Sequence, residues 1–135
     1  MAAQSLKSTA QDAERAQRGY LLTGEPTYLE TYQARADTCP MLLEHLRQLT
    51  VDNPEQQRRM PNLGTALEEW LAERKQTVDV YREQGFSAAQ QLIRSRTHLD
   101  TLRTLDSAIE ATVNTERDLL NQRQERAAQD EKRVS

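Results

Sequence analysis

The sequence predicts an all-α fold, an up-down-up-down four-helix bundle with a short extra helical segment between the third and fourth helices. Three observations predict it. Apolar residues recur at spacings of three and four along four long stretches, the period of helices with one buried stripe. Those stretches are separated by Gly24-Glu25-Pro26, Asp52-Asn53-Pro54 and Gly85, residues that stop and start helices. Aromatic residues make up only 4% of the chain and charged residues 29%, so the core must be Leu, Ala and Val in narrow stripes, which suits a slim bundle better than a sandwich. At 135 residues the chain has the length of one domain, and residues 1–135 are read as a single unit.

The first helix is expected over about residues 3–22, with Leu6, Ala10, Ala13, Gln17 and Tyr20 on one stripe. Glu14 and Arg18 lie four apart and are expected to form a solvated surface pair; the alternative turns Arg18 inward, toward Asp106, Glu110 or an anionic ligand. Gly24 suits a left-handed residue after the helix, and Pro26 suits the first position of the next. The second helix is expected over about 26–50, with Tyr28, Tyr32, Arg35, Cys39, Leu42, Leu46 and Leu49 as its seam. Pro40 lies inside it and predicts a kink near Ala36–Cys39.

Asn53 is placed to cap a third helix over 54–84, with Pro54 at its first position and Gln56 able to close a capping box. Pro61 and Gly64 weaken its first turns, so its regular start is expected nearer Pro61. Leu63, Leu67, Trp70, Leu71, Val78 and Tyr81 form its apolar side, with Trp70 a core or interface residue before it is a ligand platform. Gly85 ends this helix, and Ser87 with Gln90 opens a short segment over 87–94. The last helix is expected over about 98–130, with Leu102, Leu105, Ile109, Val113, Glu116, Leu120 and Arg123 on its inner seam. The lone Cys39 reads as a small buried residue.

Several stretches carry a family resemblance. Asp12-Ala13-Glu14-Arg15-Ala16-Gln17, leading into Arg18-Gly19-Tyr20-Leu21-Leu22-Thr23-Gly24-Glu25-Pro26 and then Tyr28-Leu29 and Tyr32, resembles the signature of CHASE sensor domains of the third type. Asp52-Asn53-Pro54-Glu55-Gln56, Arg82-Glu83-Gln84-Gly85-Phe86, and Glu116-Arg117-Asp118-Leu119-Leu120 with Arg123 match in order as well. The chain departs from the family at Ser95-Arg96-Thr97-His98, where relatives carry small residues and glycine. The resemblance implies an extracytoplasmic, periplasmic sensor between two membrane helices of a bacterial inner-membrane receptor. The output module it implies is above all a histidine kinase, with a nucleotide cyclase or a related signalling module as the alternatives. It also implies a homodimer in the full-length receptor, an unidentified small-molecule or protein stimulus, and relay by displacement of the first and last helices.

The residues exclude several other classes. The net charge of −3 and the pI near 5.5 give no basic stripe for nucleic acid. His45 and His98 fall at opposite ends of a bundle, and no Cys-x-x-Cys, Glu-x-x-His pair, glycine-rich phosphate loop or hydrolase triad motif is present. No enzyme activity of the chain itself, no metal and no cofactor are therefore expected. The candidate ligand-binding or hairpin-locking residues are Arg18, Tyr20, Tyr28 and Tyr32; the candidate transmission residues are Glu116, Leu120 and Arg123. The alternative to a sensor is a structural or protein-interaction bundle that takes no small molecule.

Overall fold

A computed structural model describes residues 2–134, which form five helices: α1 (Ala2–Thr23), α2 (Pro26–Leu49), α3 (Pro54–Gln84), α4 (Phe86–Ile93) and α5 (Arg96–Val134). The four long helices run up, down, up and down, and α4 is the short insertion before the last. The tightest pairings are α1 with α2 and α3 with α5. Ala3, Leu6, Ala10, Ala13 and Ala16 are all buried on α1, and the small alanine side chains let the neighbouring helices approach closely.

Gly24 makes the first turn, because its φ of 72° lies in the left-handed region that other residues enter only with strain. Its N–H donates to Tyr20 O at 2.7 Å, and the Thr23 hydroxyl donates to Gly19 O at 2.7 Å. Gly19 has a different reason to lack a side chain: a Cβ there would sit 2.7 Å from the Tyr28 ring, which lies across it. The hairpin is thus locked by two glycines and one tyrosine.

The helix boundaries follow from caps. Asn53 accepts the Gln56 N–H at 3.1 Å, and Pro54 opens α3; the Gln56 side chain stays buried with neither amide atom bonded, so only half of the expected capping box forms. The regular start of α3 is Pro54 and not the neighbourhood of Pro61, because this cap organises the first turn ahead of the proline. Gly85 separates α3 from α4 with φ 93° and ψ −177°, a conformation essentially confined to glycine. Ser95 explains why α5 begins at Arg96: its hydroxyl accepts the His98 N–H at 3.3 Å and donates to Leu92 O at 2.5 Å.

Two sequence-based seams shift. On α2 the buried set is Tyr32, Ala36, Cys39, Leu43 and Leu46, so Ala36 and Leu43 replace Arg35 and Leu42, while Tyr28 and Leu49 are exposed. Burying Ala36 avoids desolvating the Arg35 guanidinium. Pro40 lies within α2, which continues unbroken as helix through it. On α5 the inner face holds Leu105, Ile109 and Val113, but Leu120 and Arg123 are exposed, because at the end of the bundle only the α2–α3 turn flanks them.

The Ala3 N–H donates to Glu116 Oε1 at 2.7 Å, which brings the start of α1 beside α5 at the same end as the α2–α3 turn. The nineteen residues of α5 from Glu116 to Val134 then span roughly 27 Å at a rise of ~1.5 Å per residue. From Leu120 to Arg133 every side chain is exposed, and past Arg123, which still faces the α2–α3 turn, no side chain of α5 lines a cavity with the bundle. No described helix is long and apolar enough to cross a membrane.

Candidate functional site

The unusual chemistry of the molecule lies inside the bundle. Arg74, on α3, follows Trp70 by one helical turn and is therefore carried into the core on the same stripe. Its side chain has no exposed surface. A buried guanidinium is tolerable only when its donors and charge are met. Nε donates to Glu14 Oε1 of α1 at 2.5 Å, and Nη1 donates to the Glu73 carboxylate and to Thr101 Oγ1 of α5 at 3.2 Å. Nη1 also donates to His98 O at 3.4 Å, while Nη2 is buried without a partner.

The surrounding groups complete a network across three helices. Trp70 Nε1 donates to the same Glu14 oxygen at 2.5 Å, and the Arg74 guanidinium lies 5.9 Å from the Trp70 ring centre. His98 Nδ1 donates to Glu73 Oε1 at 2.9 Å, and the Thr77 hydroxyl lies 3.1 Å from that same oxygen. With the proton on Nδ1, the 3.2 Å approach of Arg74 Nη1 to that nitrogen is a contact and not a hydrogen bond. Gln17 of α1 donates to the Arg74 main-chain carbonyl at 2.7 Å. Two carboxylates and one guanidinium sum to −1. Both carboxylates are occupied by donors, and neither threonine hydroxyl is aligned with a free base, so the cluster clamps α1, α3 and α5 and carries no catalytic arrangement.

The electrostatics give a pH dependence. Burial alone would raise the Glu73 carboxyl, but the hydrogen bond from His98 and the positive charge of Arg74 outweigh it and hold the carboxyl below its ordinary range. A carboxyl depressed in the folded state contributes stability that is present above its unfolded pKa and lost as pH falls through its folded one. Asp106 shifts the other way, raised by burial and by the negative charges of Glu14 and Glu110, so acid relieves a small penalty there. Glu73 is the more buried of the two and sets the sign. Urea unfolding is expected to give a lower free energy at about pH 3 than at about pH 6; equal values would place Glu73 outside the ion network.

Glu14 is therefore not the surface partner of Arg18. Its carboxylate is drawn inward by Arg74 and Trp70, and Arg18 is left exposed with no hydrogen bond or ion pair among the described residues. Arg18 pairs with neither Asp106 nor Glu110; Lys7 takes Glu110 instead, at 2.5 Å. Tyr20 is buried edge-on against Tyr81, with ring centres 5.0 Å apart, and Tyr28 covers Gly19. Tyr32 is buried, its phenol pushed up to about 12 by burial, and it lines a cavity of about 440 Å³ between α2 and α3 with Asp37, Lys75 and Arg82.

Arg18 borders two other cavities, one of about 270 Å³ between α1 and α5 and one of about 300 Å³ among α1, α4 and α5. The four hairpin residues thus do not converge on one cavity. Glu116, Leu120 and Arg123 do come together, around a cavity of about 280 Å³ against the α2–α3 turn. Cys39 is buried, its thiol pushed up to about 11 by burial. Among the described residues no three His, Cys, Asp or Glu side chains are grouped to hold a metal ion. Sequence reasoning considered His98 only beside His45 as a metal ligand and gave Glu73 and Arg74 no role; the available signal was Arg74 on the Leu67–Trp70 stripe, a charge where an apolar residue was due.

Comparison with known proteins decides the family. The sequence model of the CHASE3 domain matches residues 1–126, nearly the whole chain. The chain belongs to the CHASE3 family. Its fold is similar to that of the Rhodopseudomonas palustris histidine kinase HK9 sensor domain, a crystal structure, with a TM-score of 0.81 and 25% sequence identity over 90% of this chain and 94% of that one. No curated protein sequence is significantly similar to the chain. CHASE3 domains are sensory domains, typically the extracellular part of membrane receptors, so this chain is a sensory and not a catalytic domain of a signalling receptor.

Proposed function

We propose that this CHASE3 domain is the extracytoplasmic, periplasmic sensor of a transmembrane two-component histidine kinase. In this reading it acts as a homodimer and relays its stimulus by relative displacement of α1 and α5. One observation carries the relay: the first turn of α1 lies beside α5, with Ala3 N–H on Glu116 Oε1, and α5 continues past that end of the bundle. A shift between these two helices is the motion that flanking membrane helices can transmit, and packed interfaces hold such shifts of ~1–2 Å as discrete states. A stimulus drives that shift only if it favours one state over the other. Glu116, Leu120 and Arg123, grouped where α5 leaves the bundle, are the transmission residues of this reading. The similarity to a histidine kinase sensor domain supports the choice of output.

Lys7 and Glu110 face each other across α1 and α5 and give a direct test. In membranes carrying the receptor, Lys7→Cys with Glu110→Cys, in a Cys39→Ser background and joined by a short bis-maleimide, should fix autophosphorylation at one level. The unlinked pair should still respond to changes in medium. An equal response with and without the link would contradict the relay. Apolar spans on both sides of this chain in its reading frame, followed by a kinase, are the expected genetic context; hydrophilic flanks would contradict the membrane assignment.

A further inference from the structure

The cavity among α1, α4 and α5 has a chemical character that the ion cluster beside it does not explain. Its volume is about 300 Å³, at the small end of ligand pockets. Leu21, Leu22, Phe86 and Ile93 form its apolar wall, and Leu22 and Phe86 are 68% and 43% exposed, far more than apolar side chains of their size gain from. The polar groups at its other side are Glu14, Gln17, Arg18, Gln90 and His98. Three of these already have partners: Glu14 is held by Arg74 and Trp70, Gln17 by the Arg74 carbonyl, and His98 Nδ1 by Glu73. The Arg18 guanidinium has none among the described residues, and neither does the Gln90 amide or His98 Nε2.

We infer that this cavity binds a small amphipathic carboxylate, its carboxylate on Arg18 and its hydrocarbon body against Leu22 and Phe86. The wall's own charges point to the ligand's sign. Its one carboxylate, Glu14, is engaged by Arg74 and Trp70, so the Arg18 guanidinium is the charged group of the wall left without a partner among the described residues. A guanidinium offers a planar fork that fits a carboxylate, while the Gln90 side-chain amide supplies a further donor. The cavity size limits the hydrocarbon part to a short alkyl chain or a single ring.

The inference rests on the sensory reading above and says how the stimulus enters. Glu14 belongs to both the cavity wall and the clamp, and His98 joins the wall to Glu73. A molecule seated there touches the helices whose relative position is proposed to carry the signal.

Hexanoate and benzoate are the probes, with hexanamide and hexylammonium as matched neutral and cationic controls. Titrations of this chain followed by heteronuclear NMR and calorimetry should show saturable binding of at least one carboxylate. The shifted amides should centre on Arg18, Leu22, Phe86 and His98. A charge-assisted hydrogen bond corresponds to about tenfold or more in affinity, so hexanamide and hexylammonium should bind at least about tenfold more weakly, and Arg18→Ala should cost the same factor. Arg18 is exposed, so the variant should keep the parent melting temperature, and Phe86→Ala should weaken binding through the apolar end.

Failure of both carboxylates to saturate, equal binding of hexanamide, or unchanged affinity in Arg18→Ala would overturn the inference. A failed titration with a cross-linked receptor that still loses its response would remove this ligand class and leave the sensory reading intact. Hydrophilic flanks in the reading frame would remove the sensory reading even if hexanoate bound.

Discussion

Arg74→Ala is expected to lower the unfolding free energy by about 3–5 kcal/mol, the range for removing one partner of a buried ion cluster. The loss has a defined origin. Without the guanidinium, Glu14 and Glu73 keep their negative charges in positions with little access to water, and Thr101 and the His98 carbonyl lose a donor. Small domains have only about 5–15 kcal/mol of stability, so the variant should unfold at a much lower urea concentration. Arg74→Lys should rescue little, because a single ammonium cannot reach Glu14 with one edge and Glu73 with the other. A loss below about 1 kcal/mol would mean that the cluster does not organise the interior.

Trp70→Ala is expected to cost about 3–5 kcal/mol as well, by a different route. Trp70 is fully buried on α3 between Leu67 and Arg74, and its removal leaves a cavity at the centre of the bundle. Trp70→Phe separates the two contributions of the side chain. It keeps most of the apolar volume and removes only the indole N–H that Glu14 accepts, a charge-assisted bond worth about 1.5–3 kcal/mol. Phe should therefore lose less than Ala in a urea titration. Equal losses would show that the hydrogen bond and not the packing is what Trp70 contributes.

The parts of this fold that were legible in the sequence are those where one residue type has one reason to be present. Leu6, Ala10, Ala13, Gln17 and Tyr20 are all buried on α1, because a three-and-four period over one helix leaves little choice of face. Gly24, Pro26, Asn53 and Pro54 mark turns through backbone restrictions that do not depend on neighbours. The seam of α2 was less legible. Leu42 and Leu43 are both apolar and adjacent, and only the packing against α1 and α3 selects Leu43.

The ion cluster was the hardest part to read, for a physical reason. Its members lie far apart in the chain, at 14, 73, 74 and 98, and each has an ordinary surface explanation when seen alone. Glu14 and Arg18 have the spacing of a surface pair, and that local reading gave way to the stronger tertiary partner, a guanidinium with no water of its own. The departure from the family at Ser95-Arg96-Thr97-His98 was visible in the sequence, and there His98 turns its ring onto Glu73 while Ser95 caps α5.

A buried Glu14–Arg74 pair ties α1 to the rest of the bundle, so that events at the α1 wall are felt in α3 and α5. A double-mutant cycle measures that tie. Glu14→Gln, Arg74→Met and the double variant should be unfolded in urea at neutral pH, alongside the parent chain. The predicted result is a coupling energy of about 1–3 kcal/mol, with the double variant more stable than the two single losses would sum to. Losses that add to within about 0.3–0.5 kcal/mol would show two independent residues and contradict the claim.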